Sequence, residues 1–133
     1  MHVECLAPVH MTAVWERVRP MIDRGYAAGD ELMPEDVLDR LLDGRTQLWV
    51  AIDDEGEIHA AMTTDLVPMR SGLVCWMGQC GGERLRDWAP FHRKVEEYAR
   101  AEGCVKTILR GREGWGRVLG GYKVRTVQLE KVL

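Results

Sequence analysis

The sequence is short of several things, and each shortage excludes a class of protein. It has one Phe and five Pro, and no apolar run near the ~20 residues of a membrane span. It has no excess of basic charge: 18 Lys+Arg stand against 21 Asp+Glu, for a formal charge of -3. Affinity resting on neutralised phosphates is therefore not expected, and nucleic acid is set aside as a partner. Internal repeats, low-complexity tracts and Pro/Gly/Ser linkers are missing, so residues 1–133 are expected to form one domain. Met1-His2-Val3-Glu4-Cys5 lacks a basic start and an apolar h-region, so the expectation is a cytoplasmic protein without a secretory leader.

The cysteines lack the pairing that would give them a structural task. Cys5, Cys75, Cys80 and Cys104 contain no C-x-x-C, so neither a zinc site nor a disulfide framework is expected and no metal is assigned. They read as reduced, mostly buried small apolar residues, and Cys80, between Gln79 and Gly81, is the one with the exposure a nucleophile needs. No Ser-His-Asp grouping or nucleophile elbow is present. What the chain does have is 46% hydrophobic residues and five Trp, which exclude intrinsic disorder. At 133 residues it can bury roughly two-thirds of its unfolded surface and needs no covalent staple.

Periodicity then gives the elements. Val3 to Val9 reads as a first strand. Thr12 to Ala27 has helical spacing at Val14, Val18, Met21 and Ile22, with Pro20 predicting a kink or two short helices. Pro34 to Asp43 is a second helix, opened by Pro34, Glu35 and Asp36 and stopped by Gly44. Gln47–Ile52 reads as a central strand. Asp53-Asp54-Glu55-Gly56 is a turn, Ile58–Val67 the return strand ended by Pro68, and Leu73–Met77 a third buried strand. Asp87 to Glu102 is a helix with Trp88, Phe91, Val95, Tyr98 and Ala99 on one face and Gly103 as its stop. Val105–Leu109, a helical turn at Trp115–Leu119 and a final strand at Val124–Leu129 complete a β-α-α-β-β-β-α-β-α-β order. The crossover through the long helix predicts one parallel pair in a mostly antiparallel sheet.

Three groups of residues could carry chemistry. His59, Thr63 and Asp65 alternate onto one polar face of the hairpin strand, and the imidazole of His59 suits proton abstraction from an amine. Gln79-Cys80-Gly81-Gly82-Glu83-Arg84 follows the third buried strand as a glycine turn flanked by charge. Gly111-Arg112-Glu113-Gly114-Trp115-Gly116-Arg117 sets arginines on both sides of a Trp, a loop able to stack an adenine, grip phosphate or anchor itself by burying the indole. Arg110, Arg112, Arg117, Lys123 and Arg125 form a local basic patch suited to an anionic ligand.

The element order over nearly the whole chain resembles the GNAT (GCN5-related N-acetyltransferase) superfamily. Its most specific match is Gly114-Trp115-Gly116-Arg117-Val118-Leu119-Gly120-Gly121-Tyr122, similar to the short helix and Gly-Tyr that open the family's last strand. Cys80-Gly81-Gly82-Glu83 and Gly111–Trp115 look like the short GNAT-like proteins of tailed phages and prophages. The resemblance implies a mixed α/β fold, a twisted mixed sheet with helices on both faces. It also implies acetyl-CoA as co-substrate, with transfer of the acetyl group to a small or peptidic amine.

In the terms of that resemblance, Met77, Gly78 and Gln79 would present strand backbone to the thioester. Gly81, Gly82 and Arg84 would meet the pyrophosphate, Arg112 and Trp115 would flank the cofactor, and Glu83 or His59 would be the base. The family's Tyr acid falls on Arg117, which cannot serve as one, and Tyr122 matches a packing aromatic. Glu83 and Arg84 stand where the family's phosphate turn has other residues. These departures fit the alternative of a non-catalytic GNAT-like module that binds a protein partner. The resemblance also implies a homodimer through strand edges, with Val124–Leu133 as the edge.

Overall fold

The computed structural model describes residues 1–26, 34–83, 91–110, 115–127 and 129–133. The β-rich segments form one five-stranded sheet in the order β1-β2-β3-β4-β5, with β1 His2–Leu6, β2 Thr46–Ile52, β3 Ile58–Met69, β4 Gly72–Gly82 and β5 Lys106–Leu109. The first four strands pair antiparallel, and β4 pairs β5 in parallel, as the helical crossover requires. A 3-10 turn at Pro8–His10, where the first strand was expected to continue to Val9, helices α1 Met11–Tyr26, α2 Pro34–Leu42 and α3 Phe91–Ala101 and the single turn α4 Trp115–Val118 complete the described elements. Among the described residues no helix is long and apolar enough to cross a membrane.

Strand alternation sorts the apolar side chains into two cores. Leu48, Val50 and Ala61 face α1 and α2, where Met11, Trp15, Val18, Ile22, Val37 and Leu41 meet them. Trp49, Ala51, Ala60, Met62, Cys75 and Met77 face the other way, onto Phe91, Val95 and Ala99 of α3 and onto Leu119. The fold is thus mixed α/β with helices on both faces of the sheet.

Four expectations are corrected. First, α1 is one helix through Pro20 and not two short ones. Pro20 lies on the exposed side of the helix, so the carbonyl that loses its N–H partner can turn to water. Second, Pro68 does not end β3, which continues in register to Met69↔Gly72. Pairing with β2 stops at Thr46↔Asp65, so Pro68 sits where the β2 side of β3 is bare and its missing N–H breaks no ladder.

Third, Gln79 to Gly82 is not a turn. It is the last stretch of β4, with Cys80, Gly81 and Gly82 paired to Met62, Ala61 and Ala60. Glycine is used here for close approach. A Cβ on Gly81 would collide with the Met21 carbonyl oxygen of α1, and one on Gly82 would collide with His59 and Ala60 of β3. Fourth, no final strand forms at 124–129 among the described residues, because they have no ladder partner. The expected cap Asp87 lies outside the described residues, and the described helix begins at Phe91.

Gly81→Ala should therefore cost about 2–3 kcal/mol in urea unfolding, since the obstacle is backbone rather than a flexible side chain. Gly120→Ala, where a Cβ meets nothing within 4 Å, should change stability by less than about 0.5 kcal/mol. Equal stability of the two variants would overturn the packing role of Gly81.

Candidate active site

Two irregularities coincide in β4. The first is in its pairing with β3. Between Met62↔Cys80 and Thr64↔Met77, β3 contributes only Thr63, while β4 contributes Gly78 and Gln79. Two residues against one is a β-bulge, which twists the strand and re-aims its backbone groups. Gly78 is suited to it: a Cβ there would lie 2.6 Å from the Thr63 hydroxyl. The second irregularity is in the pairing with β5, whose last register pair is Met77↔Leu109. Beyond Met77, β4 runs on through Gly78, Gln79, Cys80, Gly81 and Gly82 with no β5 partner.

The Glu83 N–H donates to the His59 carbonyl at 2.9 Å. Antiparallel alternation then turns the amides of Cys80 and Gly82 to the side that β5 has left open. A strand edge with outward N–H groups can hold a carbonyl oxygen on which negative charge develops.

The same end of the sheet brings both candidate bases together. His59 is itself an extra residue, since Ala51↔Ala60 is followed directly by Ile52↔Ile58. Its Nε2 lies 2.7 Å from Asp53 Oδ2, and its Nδ1 lies 3.3 Å from Glu83 Oε1. Asp53 also accepts the backbone N–H groups of Glu55 and Glu57, each at 2.9 Å. The His59 hydrogen bond first, and the Glu57 amide after it, hold the Asp53 carboxyl down at about 2. Asp53 is thus ionised at neutral pH and can only accept, which fixes the proton on Nε2 and leaves Nδ1 as the atom that takes or yields one. The side chain of His59 is 14% exposed, whereas that of Glu83 is 64% exposed.

His59, Thr63 and Asp65 do not share one solvated polar face. Thr63 is buried on the α1 side, opposite Leu48. Asp65 accepts from Arg40 Nη2 at 3.1 Å and from the Thr46 hydroxyl at 2.5 Å, which ties β2 and β3 to α2. The bulge at His59 separates it from both. Asp53, read from sequence only as a turn residue, is the partner that was missed. Its signal was a carboxylate six positions before a histidine across a tight hairpin.

Cys80 lacks the accessibility expected of it: it packs partly buried against the α3-side core, and burial pushes its thiol up to about 12. Tyr122 is the packing aromatic anticipated. Its hydroxyl meets the Thr107 hydroxyl at 2.6 Å and donates to Glu96 at 3.2 Å, which pins the chain after α4 to β5 and α3, and burial pushes this phenol to about 12. Arg110 lies over the Trp76 ring at 5.0 Å. Arg84 and Arg112 lie outside the described residues, and Trp115 opens α4.

No family model matches the sequence, and no curated protein matches it. Solved structures do match the fold. An aminoglycoside acetyltransferase, meta-AAC0020, from an uncultured soil metagenomic sample superposes with a TM-score of 0.72 at 9% identity, covering 99% of this chain and 95% of that one. An acetyltransferase of Trypanosoma brucei gives 0.65 at 16% identity over 99% of both chains. The aminoglycoside 6'-N-acetyltransferase AAC(6')-Ih of Acinetobacter baumannii gives 0.66 at 10% identity, covering 99% and 98%. The chain has the fold of the GNAT-type acetyltransferases, and at these identities the likeness is one of fold.

The Asp53–His59 contact has a pH signature. A depressed carboxyl contributes stability that is fully present above its ordinary value of 3.8 and lost as pH falls through about 2. Acid titrations of urea stability should separate wild type from Asp53→Asn above pH 3.8 and bring the two together towards pH 2. Parallel curves over that window would show that the contact is not made in solution.

Proposed function

We propose that this chain is an N-acyltransferase that moves an acetyl group from acetyl-CoA to an amine, on a small molecule or a peptide. The observation that carries this is the coincidence of the Gly78–Gln79 bulge with the end of β4–β5 pairing at Met77↔Leu109, one residue apart. That coincidence opens one edge of β4 beside an Asp–His–Glu relay.

The thioester supplies an activated acetyl carbon, and the chain's own groups do the rest. The open edge beyond Met77 receives the thioester end of the pantetheine arm, and the Cys80 amide donates to the carbonyl oxygen as charge develops on it. The side chain that Gly82 lacks keeps this edge low. Arg84 would meet the pyrophosphate, and Arg112 and Trp115 would flank the cofactor. His59 Nδ1 takes the proton of the attacking amine, directly or through Glu83. Asp53 holds the imidazole in position and stabilises its charged form. Glu83 is three residues beyond Cys80, about 10 Å along an extended strand, so the attacking amine approaches from the Gly82 side, where this relay can reach it.

A non-catalytic, partner-binding role is favoured by one specific observation. The lack of side chains at Gly81 and Gly82 is fully used in packing against Met21 and Ala60, so neither glycine requires a ligand to explain it. The phage and prophage resemblance of the Cys80–Glu83 stretch belongs with this alternative.

Thermal shift separates the two. Acetyl-CoA at 100 times its Kd should stabilise the fold by about 2.7 kcal/mol, and no response at millimolar ligand would remove the enzyme in favour of the partner-binding role. Arg84→Glu should weaken acetyl-CoA at least tenfold. His59→Ala should keep that affinity and lower turnover by about 10²–10⁴-fold. Full activity in both His59→Ala and Glu83→Gln would place the base elsewhere.

A further inference from the structure

We propose that Arg17 of α1 is the positioning residue of the His59 relay, holding in place the bulge that carries the imidazole. The proposal rests on the reading given above, in which His59 Nδ1 takes the proton of the attacking amine. Arg17 Nη2 donates to the Ile58 carbonyl at 2.6 Å, across 41 positions of sequence. The same nitrogen lies 3.6 Å from Glu57 Oε2.

A bulged residue lacks what holds its neighbours. His59 is the extra residue of β3 between Ile52↔Ile58 and Ala51↔Ala60, so no residue of β2 stands opposite it. Its stretch of backbone is gripped from three sides instead. The Glu57 carbonyl accepts the Asp53 N–H at 3.0 Å, just past the end of β2. The Ile58 carbonyl accepts Arg17 from the helix layer. The His59 carbonyl accepts the Glu83 N–H at 2.9 Å, just past the end of β4. Three successive carbonyls are thus taken by three different elements, and Arg17 is the side chain among those donors.

The helix that supplies Arg17 is itself fixed. Val14, one turn before Arg17, and Ile58 both pack against the core on the α1 side. One turn after Arg17, the Met21 carbonyl abuts Gly81 of β4 so closely that a Cβ there would collide with it. Arg17 therefore ties the bulge to a helix already pressed against the sheet on both sides of it.

Its contacts also lead to the other partner of the imidazole. The Glu57 N–H donates to Asp53 Oδ1 at 2.9 Å, and Asp53 Oδ2 lies 2.7 Å from His59 Nε2. Arg17 thus grips the two residues that immediately precede His59, one of which also holds Asp53. Its ion pair with Glu57 adds little to global stability, because the two side chains are 50% and 65% exposed. What Arg17 fixes is a direction. An imidazole displaced by about 1 Å loses its contact with Asp53, and errors of that size slow reactions by about 10²-fold.

Nitrogen-15 spectra of the imidazole and steady-state kinetics read the relay separately. In the wild type His59 should carry its proton on Nε2. Arg17→Met should mix the two tautomers and lower kcat by about 10- to 100-fold, with KM for acetyl-CoA within about twofold of wild type. Arg17→Lys keeps a charged donor, and it should restore Nε2 protonation and bring kcat to within about threefold of wild type. Arg45→Met removes another exposed arginine, paired with Asp43 at the opposite end of β2, and should change neither readout. An Arg17→Met chain that keeps the single Nε2 tautomer overturns the proposal. So does unchanged kcat in that variant, or a lysine variant no better than the methionine one. If the wild type acetylates no amine, the proposed reaction falls, and the spectra alone decide whether Arg17 places His59.

Discussion

A single miscount between neighbouring strands sets where everything beyond it lies. Gly78 and Gln79 stand against Thr63 alone, and from that point β4 is one residue out of step with β3. Because of the offset, the Glu83 amide reaches the His59 carbonyl, and the amides of Cys80 and Gly82 turn outward just where β5 has stopped. Without the bulge the alternation would be reversed, and the outward amides would be those of neighbouring residues.

The bulge survives because its surroundings are intolerant of side chains. Thr63 stands against Gly78, the α1 backbone against Gly81, and Ala60 against Gly82. Three glycines in one strand would ordinarily weaken it. Here they let a helix and two strands approach so closely that β4 has little freedom to slip. The geometry that leaves the β4 edge open is therefore also the geometry that packs α1 onto the sheet.

Much of the architecture was legible because short-range signals agreed with the long-range outcome. Trp49, Val50 and the apolar run at Leu73–Met77 favour strands by propensity and are buried in strands. Pro34 and Gly44 bracket α2 within a residue or two of its observed ends. Misreadings arose where tertiary packing overruled a local rule. Gly81-Gly82 looked like a turn, Pro20 a possible break between two helices and Pro68 a stop, yet close approach, solvent exposure and a bare strand edge reversed each. At the candidate site, His59 and Glu83 were both picked out, but as rivals. Their contact spans 24 positions and depends on two bulges that no periodicity reveals. Asp53 was hidden for the same reason: a turn carboxylate gives no sign of which side chain will meet it. Val124–Leu129 carries strand propensity, but a ladder also needs a partner, and among the described residues it pairs with none.

The state of the Cys80 sulfur has a bearing on reaction order. Burial pushes this thiol up, so a thioester lying along β4, as proposed, would meet a protonated sulfur there and no effective nucleophile. In the proposed reaction, transfer through an acetylated cysteine is disfavoured, and the amine would be bound together with the donor. The kinetics expected of such a site are those of a ternary complex, with intersecting rather than parallel double-reciprocal lines.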